Sequence, residues 1–130
     1  MELKIGIRGR EALAVTLENT AKAMQSGTLD VLATPAVAAL AEKTCWKSVA
    51  PALEPGQCTV GTRLELAHNA PTPVGGCVIC ESELIAIEDR KLTFHVTVSD
   101  DAGEVAVLRH DRFIVGAEKF EAKANARPHA

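Results

Sequence analysis

Residues 34–50 read TPAVAALAEKTCWKSVA, a run of strong helix formers that ends at Pro51. Thr34 stands where an N-cap residue belongs, and Pro35 occupies the first helical position, which proline favours. We therefore expect one central helix over residues 36–50. Helical spacing puts its lysines on one side, which we expect to face solvent, and its apolar residues on the opposite side.

The chain after the turn Leu53-Glu54-Pro55-Gly56 shows the apolar alternation of β-strands. A short alternating segment, residues 13–17, precedes the helix and leads into a loop or short helix. Turn residues divide the C-terminal part into four predicted strands, at residues 57–68, 75–88, 91–100 and 103–116. One long helix followed by a four-stranded antiparallel meander predicts an α+β protein whose sheet curls around the helix. The polar tail, 118–130, is predicted to be a frayed helix or disordered.

Composition limits the classes of protein to consider. A chain of 130 residues with 47% hydrophobic content fits one domain, residues 1–130, with a core that needs no metal or disulfide. The net charge of −3, with both signs interspersed, argues against a nucleic-acid partner. The sequence shows no signal peptide and no apolar run of about 18 residues, so we expect a cytoplasmic protein without a membrane partner.

The four cysteines do not have the arrangement of a metal site. Cys77 and Cys80 form a C-x-x-C motif, but the motif lies in a β-branched strand, where positions three apart point to opposite faces. Cys45 and Cys58 each stand alone, whereas a zinc site needs thiolates that converge. We expect no metal, and we interpret all four as small buried hydrophobic residues.

Glu42 is the unusual residue of the predicted helix, since it falls on the flank of the apolar side. Its neighbours three and four positions away include no cation. A carboxylate desolvated without a partner costs on the order of several kcal/mol, so the position needs an explanation. Glu42 is either a catalytic carboxylate, or a residue exposed at a dimer surface or paired with Arg63 or Arg112.

His68 ends the strand predicted at 57–68, on its apolar side. Alternation gives the helix-facing side Val60, Thr62, Leu64, Leu66 and His68, and the outer side Gly61, Arg63, Glu65 and Ala67. An inward histidine is either a satisfied core residue or a catalyst. His110, with Arg112 on the same strand face, is the reserve candidate, while His95 and His129 are expected in solvent.

Three further residues have both an ordinary and a functional interpretation. Thr34 is explained by helix capping alone, yet a helix N-terminus also offers N–H groups to an oxyanion. Gly61 is an ordinary strand glycine or one that lets a ligand approach the backbone. Arg112 is a surface cation or a ligand-binding one. Thr34, Glu42 and His68 together carry the hydroxyl, carboxylate and imidazole used in acyl transfer.

Several segments resemble the fluoroacetyl-CoA-thioesterase-like family of hot-dog-fold acyl-CoA thioesterases. The likeness covers residues 29–123, and the segments that carry it are Leu32 to Glu42, Ala50 to Gly56, Val60-Gly61-Thr62, His68, Ala70 to Pro73, His110-Asp111-Arg112 and Glu118-Lys119-Phe120. It implies the hot-dog fold, a homodimer, hydrolysis of short acyl-CoA thioesters, and no cofactor apart from the CoA of the substrate. It also implies that Thr34, Glu42 and His68 are the catalytic trio, Gly61 the glycine of the acyl site and Arg112 a CoA-side arginine.

The resemblance departs at the acyl-specificity region. The fluoroacetate-specific member has aromatic residues just ahead of the matched threonine, whereas residues 19–33 contain no Phe, Tyr or Trp. We therefore expect a short, medium or aromatic acyl-CoA, hydrolysed to free acid and CoA, in preference to fluoroacetyl-CoA. Two alternatives stay open: a hot-dog hydratase or dehydratase, and a non-catalytic acyl-CoA binding protein.

Overall fold

The computed structural model describes residues 1–129; Ala130, the last residue of the predicted tail, lies outside them. Five strands and two α-helices follow one another along these residues: β1 Arg8–Ala14, α1 Thr34–Val49, β2 Gln57–His68, β3 Cys77–Glu88, β4 Lys91–Asp100, β5 Gly103–Gly116 and α2 Ala117–Asn125. None of the described helices combines the length and apolar composition needed to cross a membrane.

All five strands form one antiparallel sheet in the order β1-β3-β4-β5-β2. The meander of the last three strands is confirmed. The expected four-stranded meander was wrong in its first member, because β2 pairs with β5 and lies at the edge of the sheet. The eight residues between β2 and β3 contain Pro71 and Pro73, which suits a long crossing connection better than a tight hairpin.

α1 packs across the inner face of the sheet and forms the centre of the core. Val37, Ala41 and Cys45 of the helix are fully buried, as are apolar residues of β3, β4 and β5 such as Leu84 and Phe94. The molecule is therefore the α+β arrangement expected from the sequence. Burial of this kind is the dominant favourable contribution to folding.

β2 contains a bulge that reverses the predicted alternation. Gly61 pairs with Arg112 and Arg63 pairs with Asp111, so Thr62 is the inserted residue. Gly61 consequently shares the inner face with His68, whereas Val60 pairs with the partly exposed Phe113 on the outer face. The prediction that Gly61 points outward was wrong, because counting by twos fails across an inserted residue.

The first strand differs from expectation, whereas the tail forms the helix that was one of its two predicted alternatives. β1 covers Arg8–Ala14 instead of residues 13–17, and it pairs along its length with β3, from Arg8 opposite Glu83 to Ala14 opposite Cys77. Across this pair Arg8 lies 3.4 Å from Glu83. Thr16 ends the segment by capping the 3-10 turn Leu17–Asn19. In the tail, residues 117–125 form α2, whose residues are not buried.

Only two of the four cysteines are buried. Cys45 and Cys80 lie in the core, where burial raises the pKa of the Cys45 thiol to about 12 and also raises that of Cys80. Cys58 is partly exposed and Cys77 is exposed, so the interpretation of all four as buried hydrophobic residues was wrong for these two. Both lie near strand ends, where alternation alone does not ensure that neighbouring residues bury a side chain.

Candidate active site

Thr34 and His68 meet where α1 begins and β2 ends. Thr34 Oγ1 lies 2.8 Å from His68 Nδ1. The sequence suggested that Thr34 caps the helix, but α1 starts at Thr34 itself, Ala33 is the N-cap residue, and no side chain caps this end. Because Thr34 is one position inside the helix, its hydroxyl is turned to β2 and not to the helix backbone.

The imidazole of His68 is partly buried, and its two nitrogens have different surroundings. Nε2 is buried and has no hydrogen-bond partner among residues 1–129. Whether Nδ1 donates to or accepts from Thr34 depends on the ring tautomer. When Nδ1 accepts, the pair has the arrangement of a hydroxyl held by a neighbouring base.

Glu42 lies further along α1 and pairs with Arg112 of β5. Arg112 Nη1 donates to Glu42 Oε2 at 3.2 Å, and the glutamate side chain is 45% exposed. The expected desolvated carboxylate without a cation was therefore wrong. The cation comes from a strand 70 residues later in the chain, so inspection of helical neighbours did not reveal it.

Arg112 is almost fully buried, which excludes its interpretation as a surface cation. Its Nε donates to Thr59 Oγ1 at 2.7 Å and its Nη2 donates to the Thr59 carbonyl at 2.8 Å. Nη1 also lies 3.0 Å from His110 Nε2. The protein itself thus uses most of the five N–H groups of the guanidinium, and its predicted contact with CoA stays a prediction.

His110, the reserve candidate, lies inside this cluster. Its Nδ1 is 2.7 Å from the carbonyl oxygen of Arg63, which can only accept, so Nδ1 carries the proton and Nε2 accepts from Arg112. Burial lowers the pKa of His110, and the nearby Arg112 guanidinium lowers it further. The ring is thus neutral, and its 3.9 Å approach to Glu42 Oε2 is not an ion pair.

Gly61 leaves the space that the Glu42 carboxylate fills. A Cβ atom built on Gly61 would lie 2.5 Å from Glu42 Oε2, and 3.2 Å and 3.3 Å from atoms of His110 and Arg112. Such distances are too short for any side chain to be tolerated without movement of the cluster. The absence of a side chain at Gly61 therefore provides the space that the Glu42 carboxylate occupies.

Within one protomer these residues form two clusters, which we call the Thr34–His68 pair and the Glu42 cluster (Glu42, Gly61, His110 and Arg112). Glu42 follows Thr34 by eight residues, which is about 12 Å along a helix axis. Among residues 1–129, no hydrogen bond or ion pair joins the two clusters. The same residues contain no group of three His, Cys, Asp or Glu side chains able to hold a metal.

Comparisons with known proteins agree with this architecture. The model of the family described as fluoroacetyl-CoA-specific thioesterase matches residues 15–118. The chain is also 36% identical over 101 residues to the fluoroacetyl-CoA thioesterase of Streptantibioticus cattleyicolor, a match that covers 78% of this chain and 73% of that protein. The chain belongs to the fluoroacetyl-CoA-specific thioesterase family.

Solved structures of this family and fold superimpose closely on the chain. A structure of the fluoroacetyl-CoA thioesterase matches with a TM-score of 0.93 at 29% identity, covering 99% of this chain and 100% of that one. A mutant of that enzyme in complex with fluoroacetate and CoA matches with a TM-score of 0.85 at 30% identity, covering 91% and 99%. A hot-dog-like protein from Thermanaerovibrio acidaminovorans matches with 0.89 at 20% identity, covering 98% and 95%. The predicted hot-dog fold and family are confirmed.

Proposed function

We propose that this thioesterase-family protein hydrolyses short or medium acyl-CoA thioesters to the free acid and CoA. The observation that carries the proposal is the 2.8 Å contact between Thr34 Oγ1 and His68 Nδ1 at the start of α1. It joins a hydroxyl to a base, the combination that acyl transfer uses, and so supports catalytic roles for both residues. The roles of Thr34, Glu42 and His68 as the catalytic trio are part of this proposal.

The proposed working form is a homodimer that completes the site. β2 is twelve residues long and lies at the sheet edge, where one side of its backbone is available for pairing. Antiparallel pairing of two β2 strands about a two-fold axis at Glu65 would place His68 opposite Gly61 of the partner subunit. With Thr62 counted as the inserted residue, both lie three ladder positions from Glu65. The Thr34–His68 pair would then lie beside the partner's Glu42, and the two clusters would form one site.

The proposed reaction proceeds by attack on the thioester carbonyl. In one route His68 or Glu42 removes a proton from water, the water oxygen adds to the carbonyl carbon, the C–S bond breaks, and the thiolate leaves and is protonated to CoA-SH. In the other route a Glu42 oxygen attacks, and water then cleaves the acyl-enzyme anhydride. Both routes give the same products. A free carboxylate oxygen on Glu42 is required wherever Glu42 is the base or the nucleophile.

Stabilisation of the oxyanion at the helix start is more limited than the sequence suggested. Pro35 has no N–H group, and the N–H of Ala36 already donates to the Ala33 carbonyl at 3.0 Å. The Thr34 N–H is therefore the backbone donor that the first helical residues offer. The Thr34 hydroxyl is the proposed second donor, which orients the carbonyl or the attacking group.

The proposed acyl group is not specifically fluoroacetyl. No Phe, Tyr or Trp occurs in residues 19–33, the segment that leads to Thr34. A cleft beside His68 is lined instead by Val31, Leu32 and the loop residues 69–71. Without an aromatic side chain among them, these residues place few steric or electronic demands on the acyl group.

Release of free thiol across a panel of acyl-CoA esters of increasing length tests the proposal. We expect steady release with short and medium acyl chains. Hydration of an enoyl-CoA without thiol release would instead identify a hydratase. A ligand-dependent rise in melting temperature without turnover of any ester would identify a binding protein.

A further inference from the structure

We propose that His110 is a positioning residue that draws Arg112 away from Glu42 and so leaves one oxygen of that carboxylate free for the reaction. This inference rests on the proposed thioesterase function. His110 itself does not contact the substrate in this proposal. It acts by accepting one of the hydrogens of Arg112 Nη1.

The bulge in β2 fixes the orientation of the His110 ring. At the bulge the regular ladder is disrupted, and two backbone carbonyls accept from side chains: Arg63 O from His110 Nδ1 at 2.7 Å, and Asp111 O from Thr62 Oγ1 at 3.2 Å. The first of these bonds places the ring proton on Nδ1. The lone pair of Nε2 is then directed to Arg112, and the ring is 1% exposed.

The guanidinium of Arg112 is held on three sides. Thr59 accepts from Nε and Nη2, and His110 accepts from Nη1, which has two hydrogens. Glu42 therefore receives a single hydrogen bond, at 3.2 Å, on Oε2. Oε1 has no protein partner among residues 1–129.

The alternative arrangement is the common one for this pair of residue types. Arginine and carboxylate groups frequently pair through two parallel hydrogen bonds, which would occupy both oxygens of Glu42. A carboxylate bound in this way is a weaker base and nucleophile. Two parallel bonds need hydrogens on two different nitrogens. By holding Nη1 while Thr59 holds Nε and Nη2, His110 keeps the guanidinium oriented so that Nη1 alone reaches Glu42, which preserves a reactive oxygen.

The charged groups around His110 support a neutral ring as the working state. Arg112 and Asp111 lie on its own strand, Glu42 approaches from α1, and the Arg63 carbonyl approaches from β2. A proton on Nε2 would face the Arg112 guanidinium 3.0 Å away and remove its acceptor. Arg112 would then be released toward Glu42.

Two substitutions distinguish the roles of the two ring nitrogens of His110. The amide oxygen of His110→Gln reaches the position of Nε2 and keeps an acceptor for Arg112, whereas the amide nitrogen of His110→Asn keeps the donor to Arg63 and removes the acceptor. We expect the Gln variant to retain kcat within about threefold, and the Asn variant to lose about tenfold or more in kcat with KM little changed. Phe94→Leu, which alters packing beside the ring without altering hydrogen bonds, is the control and should leave kcat unchanged.

A double-mutant cycle tests whether His110 acts through Arg112. In an Arg112→Lys background, which lacks the planar guanidinium, His110→Asn should cost no further activity. Equal losses in the Asn and Gln variants, in proportion to their melting temperatures, would overturn the proposal, as would full additivity with Arg112→Lys. Crystal structures give a readout besides activity: the Asn variant should show Arg112 on both Glu42 oxygens, and an unchanged single contact would refute the inference even if wild-type thiol release were absent.

Discussion

At the scale of single residues, Glu42 has two roles that the sequence presented as alternatives. It forms an ion pair with Arg112, and its other oxygen has no partner among residues 1–129. The pair is half exposed on the glutamate side, so its contribution to stability is modest. The ion pair and a catalytic role are compatible, because Arg112 contacts Oε2 and leaves Oε1 for the reaction.

Glu42→Gln should lower kcat by at least about a hundredfold while leaving the fold intact, because the amide has the same shape but cannot act as base or nucleophile. Steady-state thiol release and thermal unfolding measure the two effects. Glu118→Gln, an exposed glutamate on α2, is the matched control. Near-normal turnover together with a much lower melting temperature would make Glu42 a structural partner of Arg112 only.

Thr34→Ala should reduce turnover but shift the melting temperature by less than about 3 °C, because the hydroxyl contacts His68 and caps nothing. The sequence alone predicted a stability loss of about 1 kcal/mol from a lost cap. Thr34→Ser keeps the hydroxyl and should retain most activity. A large stability loss in the Ala variant, with turnover preserved, would restore the capping interpretation.

His110 should make stability depend on pH in the mildly acidic range. Because burial lowers its pKa below 6.5, the unfolded chain binds this proton more readily than the folded protein. The contribution of the neutral ring to the free energy of unfolding is therefore complete above pH 6.5, and it is lost as the pH falls through the folded value. Denaturant unfolding measured from pH 7.5 down to pH 4.5 should show this loss in the wild type and a smaller one in His110→Gln.

At the scale of elements, the bulge in β2 decides what the site looks like. It turns Gly61 inward beneath Glu42 and supplies the carbonyl that orients His110. If Thr62 took part in a regular ladder instead, its side chain would face the helix at this point, and the carboxylate would have no space. An edge strand accommodates such an insertion readily, because one of its sides is not in a ladder.

Gly61→Ala should lower kcat by about a hundredfold, because the new methyl group displaces the Glu42 carboxylate from 2.5 Å away. Thiol release and the melting temperature are again the measurements. Gly116→Ala is the control, since its added Cβ would meet only Lys119 at 4.0 Å. An active Ala variant would show that the carboxylate does not need this position.

At the scale of the whole molecule, the separation of the two clusters is the main argument for a dimer. A single protomer holds the Thr34–His68 pair and the Glu42 cluster at different points along α1, and the edge strand β2 links both. The proposed two-fold pairing of β2 would bring each pair to the partner's carboxylate. If the proposal is right, the protein can hydrolyse its substrate only as a dimer.

Mixing two inactive variants should restore activity. A Thr34→Ala/His68→Ala protein supplies an intact Glu42, and a Glu42→Gln protein supplies an intact Thr34–His68 pair, so each mixed dimer carries one complete site. Co-refolding equal amounts should recover about a quarter of the wild-type rate, because half of randomly formed dimers are mixed. Absence of recovery would place the site within one protomer, and light scattering that gives the 13.8 kDa mass of one chain would exclude the dimer itself.

The sequence by itself determined the helix, four of the five strands within a few residues, and the chemistry of Thr34, Glu42 and His68. These features depend on local periodicity, turn residues and side-chain type, which the chain carries without reference to its fold. His110 could also be found, through its place beside Arg112, though its role could not.

Only the tertiary structure decided which groups meet. The contact of Thr34 with His68 joins residues 34 positions apart, and that of Arg112 with Glu42 joins residues 70 positions apart. The edge position of β2 and the insertion of Thr62 depend on strand order and register. Such contacts depend on how the sheet is ordered and on where one extra residue interrupts a ladder. Neither property can be read from the periodicity of a single sequence, because a bulge shifts the pattern by one residue without changing its composition.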